Sequence, residues 1–344
     1  MRIIITGGVG FIGSCVVRKA IEKGYTVLNI DALTYAASLD NVASVSNSKN
    51  YLFDNIDIRD YDKLYKSINA FQPDAIMHLA AESHVDRSID SASKVLETNI
   101  IGTFNLLDIF TKYWLDKNKS KNYRFIHIST DEVFGEALHG EMFTETTNYD
   151  PKNPYSASKA SSDHLVRAWV NTHKTPAIIT NCSNNYGPFQ FPEKLIPLVI
   201  NAIRNFKTIP VYGDGLQIRD WIYVDDHVNG LFSVLMHGKI GESYNIGSNN
   251  EVTNIDLVRM ICQRMDERLK NKDSYTNLIE FVKDRPGHDK RYAIDSSKIR
   301  NEIGWAPKYN IDSGLNKTID WYMSNQNWLD NLAEKTNLKN RFTS

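Results

Sequence analysis

The N-terminal segment constrains the fold most, because a strand, a glycine-rich turn and a helical pattern follow one another without a break. Residues 2–6 are apolar and mostly β-branched, and a helical pattern runs on to Gly24. The glycines between them are Gly7, Gly10 and Gly13. In such a turn the first glycine permits a tight bend, the second lets the backbone approach a pyrophosphate, and the third lets the helix pack closely on the strand. The segment therefore predicts a dinucleotide-binding α/β unit.

The second predicted strand, residues 26–30, ends in an acid, Asp31. A carboxylate at this place, about 20 residues past the glycines, can accept hydrogen bonds from both ribose hydroxyls and would repel a 2′-phosphate. The pattern therefore favours NAD over NADP as the cofactor. The alternative interpretation is an aspartate that only caps a turn.

Apolar segments and helical patterns alternate through the first half of the chain, which is typical of a parallel sheet with helices on both faces. Further strands are predicted at residues 51–53, 74–81, 124–129 and 177–180. Long helices are predicted over 93–115 and 155–173, and together they could supply a helical dimer face. We expect an α/β fold with a Rossmann-type doubly wound parallel sheet and a smaller C-terminal α/β substrate-binding lobe.

The length of 344 residues suits two joined domains. Prolines and glycines interrupt the alternation after residue 183. We predict that residues 1–183 form mainly the NAD-binding domain and that 184–328 form mainly the substrate-binding lobe, with some segments returning to the sheet. Residues 329–344 are predicted to be a polar C-terminal tail.

Composition excludes several classes of protein. With 42% hydrophobic and 24% charged residues and a net charge of -1, the chain is an ordinary globular protein with no overall electrostatic case for nucleic acid or an anionic membrane. Cys15, Cys182 and Cys262 are widely spaced, so we expect reduced thiols and no metal site. No apolar run reaches about 18 residues, so we expect neither a signal peptide nor a membrane span, and a cytoplasmic protein.

A polar cluster begins where the predicted strand 124–129 ends. It contains Thr130, Asp131 and Glu132, and a tyrosine–lysine pair, Tyr155 and Lys159, follows at the start of a predicted helix. A hydroxyl, two adjacent carboxyls, a phenol and an amine at one sheet edge supply a hydrogen-bond donor, an acid, a base and a group that forms an alkoxide. The alternative is a polar turn that leads into a helix start.

Other charged residues are candidates for substrate contacts. The polar loop 82–88 contains His84, Asp86 and Arg87, which could touch substrate or only order the loop itself. Scattered cations of the second half could converge on a diphosphate, or they could be solvated surface charges. These cations are Lys194, Arg219, Arg285 and Arg291.

With these residues in view, the chain resembles the extended short-chain dehydrogenase/reductase superfamily and, within it, the dTDP-glucose 4,6-dehydratases. The resemblance covers nearly the whole chain, through the runs GGVGFIGS, HLAAESHVDRSI, STDEVFGE, YSASKAS, NNYGPFQFPEKLIPL, RDWIYVDDH and DRPGHDKRYAID. The glycine turn and the tyrosine–lysine pair specify only the superfamily. The pair Asp131–Glu132 is more selective, because epimerases usually carry small or uncharged residues there and decarboxylases tend to keep only the glutamate.

The resemblance implies a redox-neutral dehydration. Tyr155, its pKa lowered by Lys159 and by oxidised NAD, takes the proton of the sugar 4-hydroxyl while hydride passes from carbon 4 to the nicotinamide, and Thr130 hydrogen-bonds the same oxygen. Glu132 then removes the proton on carbon 5, and Asp131 protonates the departing 6-hydroxyl. Return of hydride to carbon 6 gives the 4-keto-6-deoxy sugar. Because NAD is regenerated in each turnover, the resemblance implies that it is held tightly.

The resemblance also implies two sets of binding residues. The NAD contacts, besides the glycine turn, are Phe11, Ile12, Asp31, Leu33, Thr34, Asp57, Ile58, Leu79, Ala80, Ala81, Ser83, Thr98, Tyr155, Lys159 and Asn185. The contacts to the nucleotide-diphosphate sugar are Ser83, Thr130, Asn184, Lys194, Leu195, Tyr212, Arg219, Asn254, Arg285 and His288. Three residues depart from the family pattern near the cofactor, namely Val9, Ala32 and Ala37, and they bear on cofactor affinity more than on chemistry.

Three rival hypotheses stay open. The first is the same reaction on UDP-glucose, from which the dTDP sugar differs by one methyl group on the base and one ribose hydroxyl. The second is a UDP-sugar 4-epimerase or a decarboxylase, against which Asp131 argues. The third is a non-catalytic NAD-binding protein, which would be expected to lack Tyr155, Lys159 or the acid pair. A homodimer is expected from the resemblance and from the apolar helices.

Overall fold

The structure is a computed structural model, and it describes residues 1–117, 123–284 and 286–335. In chain order the strands are β1 (Arg2–Thr6), β2 (Thr26–Ile30), β3 (Tyr51–Asp54), β4 (Ala75–His78), β5 (Arg124–Thr130), β6 (Ala177–Cys182), β7 (Asn184–Tyr186), β8 (Ile209–Tyr212), β9 (Ile218–Tyr223), β10 (Ser243–Ile246), β11 (Glu251–Thr253) and β12 (Ile279–Val282). The predicted strands of the first half are all present, although β4 ends at His78 rather than at residue 81.

The helices connect these strands. They are α1 (Phe11–Glu22), α2 (Tyr61–Phe71), α3 (Val85–Asp90), α4 (Ala92–Leu96), α5 (Gly102–Asp116), α6 (Pro154–His173), α7 (Leu195–Arg204), α8 (Val224–His237), α9 (Asn254–Leu269), α10 (Ser297–Ile303), α11 (Ile311–Ser324) and α12 (Gln326–Lys335). Among the described residues, none of the helices is long and apolar enough to cross a membrane.

The main sheet has seven strands in the order β10-β6-β5-β4-β1-β2-β3, and all its neighbouring strands are parallel. Ile4 of β1, for example, lies between Leu28 of β2 and Ile76 of β4. Helices cover both faces, so these strands are apolar on both sides, as buried parallel strands are. The strand order reverses between β1 and β4, and such a reversal opens a crevice at the carboxyl ends of the strands. The expected Rossmann-type doubly wound sheet is confirmed.

Two expectations about the segment after β4 need correction. The predicted polar loop 82–88 becomes helical at Val85, where α3 begins. The predicted helix 93–115 is two α-helices, α4 and α5, joined by a π-helical turn over Glu97–Ile101. Within this turn Asn99 hydrogen-bonds both backbone groups of Glu82, with distances of 2.9 and 3.0 Å. The helical spacing of apolar residues therefore predicted a helix here, but it did not predict the π-helical turn that interrupts it. That turn contains the tertiary contact of Asn99.

The second lobe has its own sheets and core. A three-stranded sheet has the order β11-β9-β7, with β11 antiparallel to β9, and a parallel pair joins β12 to β8. Apolar faces of α7, α9 and α11 pack together there, and the buried side chains include Tyr186, Ile200, Val258 and Ile319. Three elements of this half of the sequence pack with the main sheet instead, namely β10, which pairs with β6, and the helices α8 and α10.

The predicted tail is wrong for the first part of its range. Residues 329–335 belong to α12, in which Leu329 and Leu332 lie three residues apart, are 0% and 3% exposed, and pack into the protein. The indole of Trp328 donates a hydrogen bond to Asn41, with a distance of 2.9 Å. The segment looked polar because Asp330 and Asn331, which are both exposed, stand between the two leucines. Residues 336–344 lie outside the described part of the chain.

Candidate active site

A cavity of about 350 Å³ lies at the carboxyl ends of the central strands. Its walls come from the glycine turn, the loops after β2, β3, β4 and β5, the start of α6, and residues 182–194 of the second lobe. Residues far apart in the chain therefore meet at one place. This is the edge where the reversal of strand order predicts a ligand site.

The glycine turn is built so that no side chain fits on its inner glycines. Gly7 has φ of +72°, and a Cβ there would lie 2.8 Å from the backbone of Ala80. A Cβ on Gly13 would lie 2.1 Å from the carbonyl oxygen of Gly7. The glycines of the turn therefore leave its backbone uncovered by side chains, and α1 begins next to it at Phe11. Free backbone N–H groups at a helix start suit a pyrophosphate, so the turn fits a dinucleotide.

Asp31 lies at the end of β2 and lines the cavity. Its carboxylate accepts hydrogen bonds from the backbone N–H groups of Val9 and Leu33, with distances of 3.1 and 2.9 Å. Burial raises the pKa of Asp31, and these two hydrogen bonds oppose the rise. A buried acid at this edge fits a ribose diol and disfavours a 2′-phosphate.

Almost all the residues predicted to contact NAD line this cavity. They are Gly7, Gly10, Phe11, Ile12, Gly13, Asp31, Thr34, Asp57, Ile58, Leu79, Ala80, Ala81, Ser83, Thr98, Tyr155, Lys159 and Asn185. Leu33 is the exception: it has a φ of +52°, its backbone N–H donates to Asp31, and its side chain is exposed. Two of the departures from the family pattern, Ala32 and Ala37, also lie on the wall.

The predicted catalytic residues converge on the same cavity. Thr130 ends β5, and its hydroxyl accepts a hydrogen bond from the backbone N–H of Glu132, with a distance of 3.3 Å, which caps the short 3-10 turn Asp131–Phe134. Thr130, Asp131 and Glu132 all line the cavity. The segment can therefore both begin a turn and contribute to the site. Strand, cap and turn together hold the acid pair at the sheet edge.

Asp131 is almost completely buried, at 2% exposed, while Glu132 is half-buried. Burial raises the pKa of Asp131 well above its usual range, and the charges of Glu132 and Asp220 raise it further, against a smaller lowering effect of Arg219. Burial therefore favours the protonated form of the Asp131 carboxyl group. An acid and a potential base then stand side by side in the cavity.

Tyr155 lies in the first turn of α6, which a capping box of Asn153 and Ser156 begins. Burial raises the pKa of Tyr155 well above its usual range, and the acidic neighbours Glu132, Cys182 and Asp131 raise it further, whereas a hydrogen bond with Thr130 opposes them. The resemblance attributes a lowered pKa of Tyr155 to Lys159 and oxidised NAD, and that expectation stays a prediction. Burial and the acidic side chains act in the opposite direction, so any lowering has to come from a cation placed beside the phenol.

The predicted substrate contacts divide into two groups. Ser83, Thr130, Asn184 and Lys194 line the cavity, and the Lys194 ammonium donates to the Ser83 carbonyl oxygen with a distance of 3.3 Å. A second group does not line it and lies on the second lobe. Its members are Leu195, Tyr212, Arg219, Asn254 and His288.

Within the second group, the rings of Tyr212 and His288 are 6.4 Å apart, and His288 is 2.7 Å from a carboxylate oxygen of Asp284. Arg219 is buried, donates to the carbonyl oxygens of Ile218 and Asp289, with distances of 2.8 and 2.9 Å, and stacks on Tyr292.

The hypothesis that four cations converge on a diphosphate is not supported for Arg291. Its guanidinium pairs with Glu251, with a distance of 2.7 Å, and donates to the carbonyl oxygens of Leu138 and Glu141. Arg285 lies outside the described residues, as do the side chains of Asp86 and Arg87.

Sequence reasoning missed a buried contact between the two halves of the cavity wall. Glu193 lies 3.2 Å from the imidazole of His84 and accepts a hydrogen bond from Tyr35 at 2.8 Å. Burial alone would raise the pKa of Glu193, but hydrogen bonds with His84 and Tyr35 and the nearby charges lower it. His84 is therefore bound to a protein carboxylate in this structure. The only sequence signal for Glu193 was its position next to Lys194.

Comparisons with known proteins agree with this geometry. Residues 4–318 match the family model described as GDP-mannose 4,6 dehydratase. A dTDP-glucose 4,6-dehydratase of Shigella flexneri is 53% identical, with 98% of this chain and 96% of the relative covered. The dTDP-glucose 4,6-dehydratase 1 of Escherichia coli K12 is 53% identical, with 96% of this chain and 95% of the relative covered.

Solved structures show the same likeness. DesIV, a dTDP-glucose 4,6-dehydratase of Streptomyces venezuelae solved with NAD and TYD bound, is 40% identical with a TM-score of 0.88 over 96% of this chain and 100% of DesIV. A UDP-glucose 4-epimerase of Thermotoga maritima, solved with UDP-glucose, is 27% identical with a TM-score of 0.83 over 94% of this chain and 99% of the epimerase. The fold is thus shared with epimerases, while the sequence identity is greater to the dehydratases. The chain belongs to the dTDP-glucose 4,6-dehydratase family.

Proposed function

We propose that this chain removes water from dTDP-glucose and forms dTDP-4-keto-6-deoxyglucose. The observation that carries the proposal is the adjacent acid pair of the cavity, in which burial favours the protonated form of Asp131 beside Glu132. Elimination of water needs an acid for the leaving hydroxyl and a base for the carbon-bound proton, and this pair provides both.

The glycine turn and Asp31 would hold NAD, with the pyrophosphate at the start of α1 and the ribose at the end of β2. When bound, NAD would supply a reversible hydride acceptor for the oxidation at carbon 4 and the later reduction at carbon 6. The rest of the chemistry is proton transfer by side chains of the chain itself. Their protonation states therefore decide whether the reaction runs.

The first proton transfer belongs to Tyr155. Its phenolate accepts the proton of the sugar 4-hydroxyl, and the hydroxyl of Thr130 donates a hydrogen bond to the same sugar oxygen. Because burial and the acid pair raise the pKa of Tyr155, the phenolate requires a nearby positive charge. Lys159, which follows Tyr155 by one helical turn and lines the cavity, supplies that charge.

The second stage belongs to the acid pair. Once carbon 4 is a ketone, the proton on carbon 5 is acidic, and the Glu132 carboxylate removes it. Asp131 donates its proton to the 6-hydroxyl, which leaves as water. Ser83, Asn184 and Lys194 hold the sugar nucleotide at the cavity wall, and the group around Tyr212 and His288 extends this site along the second lobe.

We also propose a homodimer in the cytoplasm. Exposed apolar side chains occur along α3, α4, the π-helical turn and α5, and they are Ile89, Leu96, Ile101, Phe104 and Leu115. In a second copy these would find an apolar partner. The substitution Ile101→Glu is expected to give a monomer by light scattering, whereas Phe281→Glu, an equally exposed site on the other lobe, is expected to leave the mass unchanged. The three cysteines are free and buried, which suits a reducing compartment.

Mass spectrometry of the purified protein incubated separately with dTDP-glucose and UDP-glucose tests the proposed activity. The expected result is loss of one water from dTDP-glucose without added NAD. The base methyl group is worth about 1–3 kcal/mol in an apolar contact, so we expect a slower reaction of UDP-glucose. An unchanged mass with altered sugar stereochemistry would instead indicate an epimerase.

A further inference from the structure

Lys159 is an ionisable residue in a buried position. Its side chain is buried at 4% exposed, and its ammonium group donates a hydrogen bond to the Ile128 carbonyl oxygen at 2.8 Å. Burial lowers the pKa of Lys159, because a charged ammonium loses its hydration there. A neutral carbonyl is a weak substitute for water. The reaction proposed above needs this ammonium charged, so the protein has to provide a counter-charge.

Asp163 lies one helical turn after Lys159 on α6 and is 0% exposed. Residues four apart on a helix lie on the same face. One oxygen of the Asp163 carboxylate accepts hydrogen bonds from the hydroxyls of Ser129 and Tyr149, each at 2.8 Å, and the other lies 3.1 Å from His127 Nε2. A carboxylate held in this way keeps its charge although it is buried.

The titratable groups around this pair leave Asp163 as the counter-charge. Burial and the charge of Lys159 lower the pKa of His127 to about 4, so its imidazole is neutral at neutral pH. Burial likewise lowers the pKa of His78, whose ring lies 5.4 Å from that of His127. Burial raises the pKa of Cys182 to about 12, and burial raises that of Tyr149 as well, so both keep their protons. Further out, the guanidinium of Arg167 donates to the Tyr149 hydroxyl with a distance of 2.9 Å.

We propose that Asp163 is a positioning residue for this reaction, and that its carboxylate is the fixed counter-charge that keeps the Lys159 ammonium protonated. The proposal rests on the function assigned to Lys159 above. Asp163 touches neither substrate nor NAD in this assignment. It acts through Lys159, which in turn stabilises the Tyr155 phenolate that takes the proton of the sugar 4-hydroxyl.

The sign of the pH effect follows from the charge. The negative charge of Asp163 raises the pKa of Lys159 relative to the same site without it. In Asp163→Asn the ammonium would lose its proton at a lower pH. The alkaline limb of the rate of NADH formation, where activity is lost as pH rises, is therefore expected to move down by about 1–3 pH units. The maximal rate near neutral pH should fall, while KM stays close to the wild-type value.

The test is the pH profile of NADH formation on substrate addition for wild type, Asp163→Asn and Asp163→Glu. Asp163→Glu retains the charge and is expected to restore part of the alkaline limb. The matched control is Asp226→Asn, which also removes a buried carboxylate, since Asp226 accepts hydrogen bonds from the backbone N–H groups of Lys308 and Tyr309 at 2.9 and 2.8 Å. It is expected to lose stability without a shift of the profile. An unshifted profile in folded Asp163→Asn overturns the proposal.

A second measurement separates this inference from the proposed activity. NMR titration of isotope-labelled lysines, with the Lys159 signal assigned from Lys159→Met, reports the pKa of Lys159 without substrate. A lower value in Asp163→Asn supports the inference, and an equal value contradicts it. If the wild-type protein fails to dehydrate any sugar nucleotide, the proposed function is wrong, but the titration still shows whether Asp163 raises the pKa of Lys159. If Asp163→Asn does not fold, Asp163→Ser removes the same charge, and an unshifted Lys159 pKa in that variant overturns the inference.

Discussion

The coenzyme side of the cavity and its substrate side are assembled in different ways. On the coenzyme side, every predicted contact except Leu33 lines one wall. On the substrate side, Asn184 and Lys194 line the cavity, whereas Tyr212 and His288 lie in a separate group. The difference follows from topology, because the strand ends of one parallel sheet share an edge. The second lobe uses two small sheets whose placement no local pattern specifies.

The two sides of the cavity also differ in how deeply their ionisable groups are buried. Beneath the coenzyme side, hydroxyl groups and imidazoles surround ionisable groups that are completely buried, as around Asp163 and His127. In the substrate group of the second lobe, the carboxyl group of Asp284 beside His288 is 40% exposed. Buried charges alter pKa values strongly and exposed ones weakly. We therefore expect substitutions on the first side to change rates and pH profiles, and those on the second side to change mainly substrate affinity.

The largest expected effect tests the proton transfer at the sheet edge. Tyr155→Phe removes the group that accepts the proton of the 4-hydroxyl, so the rate of NADH formation should fall by about 10²–10⁴-fold. Stopped-flow absorbance after substrate addition measures it. Tyr65→Phe, an exposed site on α2, is the control and should behave as wild type. An undiminished NADH signal in Tyr155→Phe would remove this residue from the mechanism.

The next effect separates oxidation from dehydration. Glu132→Gln removes the proposed base for the carbon 5 proton, so the variant should still reduce bound NAD on substrate addition but release water about 10²–10⁴-fold more slowly. NADH absorbance and the mass of the sugar nucleotide, followed together, distinguish the two steps. Glu136→Gln, on the exposed part of the same loop, is the matched control. Dehydration at the wild-type rate would show that Glu132 is not the base.

A smaller effect tests whether the two groups of predicted substrate contacts bind substrate differently. Lys194→Met should raise KM by about 10–100-fold with little change in kcat, because a charged hydrogen bond is worth about 1.5–3 kcal/mol. His288→Asn, in the second group, should raise KM by less, because Asp284 already engages its imidazole. Steady-state kinetics measures both, and Lys239→Met, paired with Glu302 on the surface, is the control. Equal effects of the two substitutions would show that both groups bind substrate in the same way.

The smallest effect on activity concerns the core of the second lobe. Leu329→Ala should lower the free energy of unfolding by about 2–5 kcal/mol, because Leu329 is completely buried, and leave kcat near the wild-type value. Denaturant unfolding and steady-state kinetics check the two parts. Leu269→Ala, an exposed leucine of the same lobe, is expected to be near neutral. Equal stability of the two variants would show that residues 329–335 are a peripheral tail that does not stabilise the fold.

Much of the site was predictable because its signals are short in sequence. The glycine turn, Asp31 and the run Thr130–Asp131–Glu132 each stand directly after an apolar strand, and a parallel sheet brings such strand ends together. The helix that carries Tyr155 and Lys159 starts at a cap that the sequence also encodes. The contact of Glu193 with His84 and Tyr35 could not be predicted, since its three residues come from three distant segments.

The sequence by itself determined the fold class and the identity of the reactive groups, because period, glycine spacing and motif order are local properties of a chain. The tertiary structure decided their ionisation. Burial by distant elements raises the pKa of Asp131 and the pKa of Tyr155. It also places Asp163 among Ser129, Tyr149 and His127. A pKa depends on every charge and every lost water around a group, and only the folded chain brings those together.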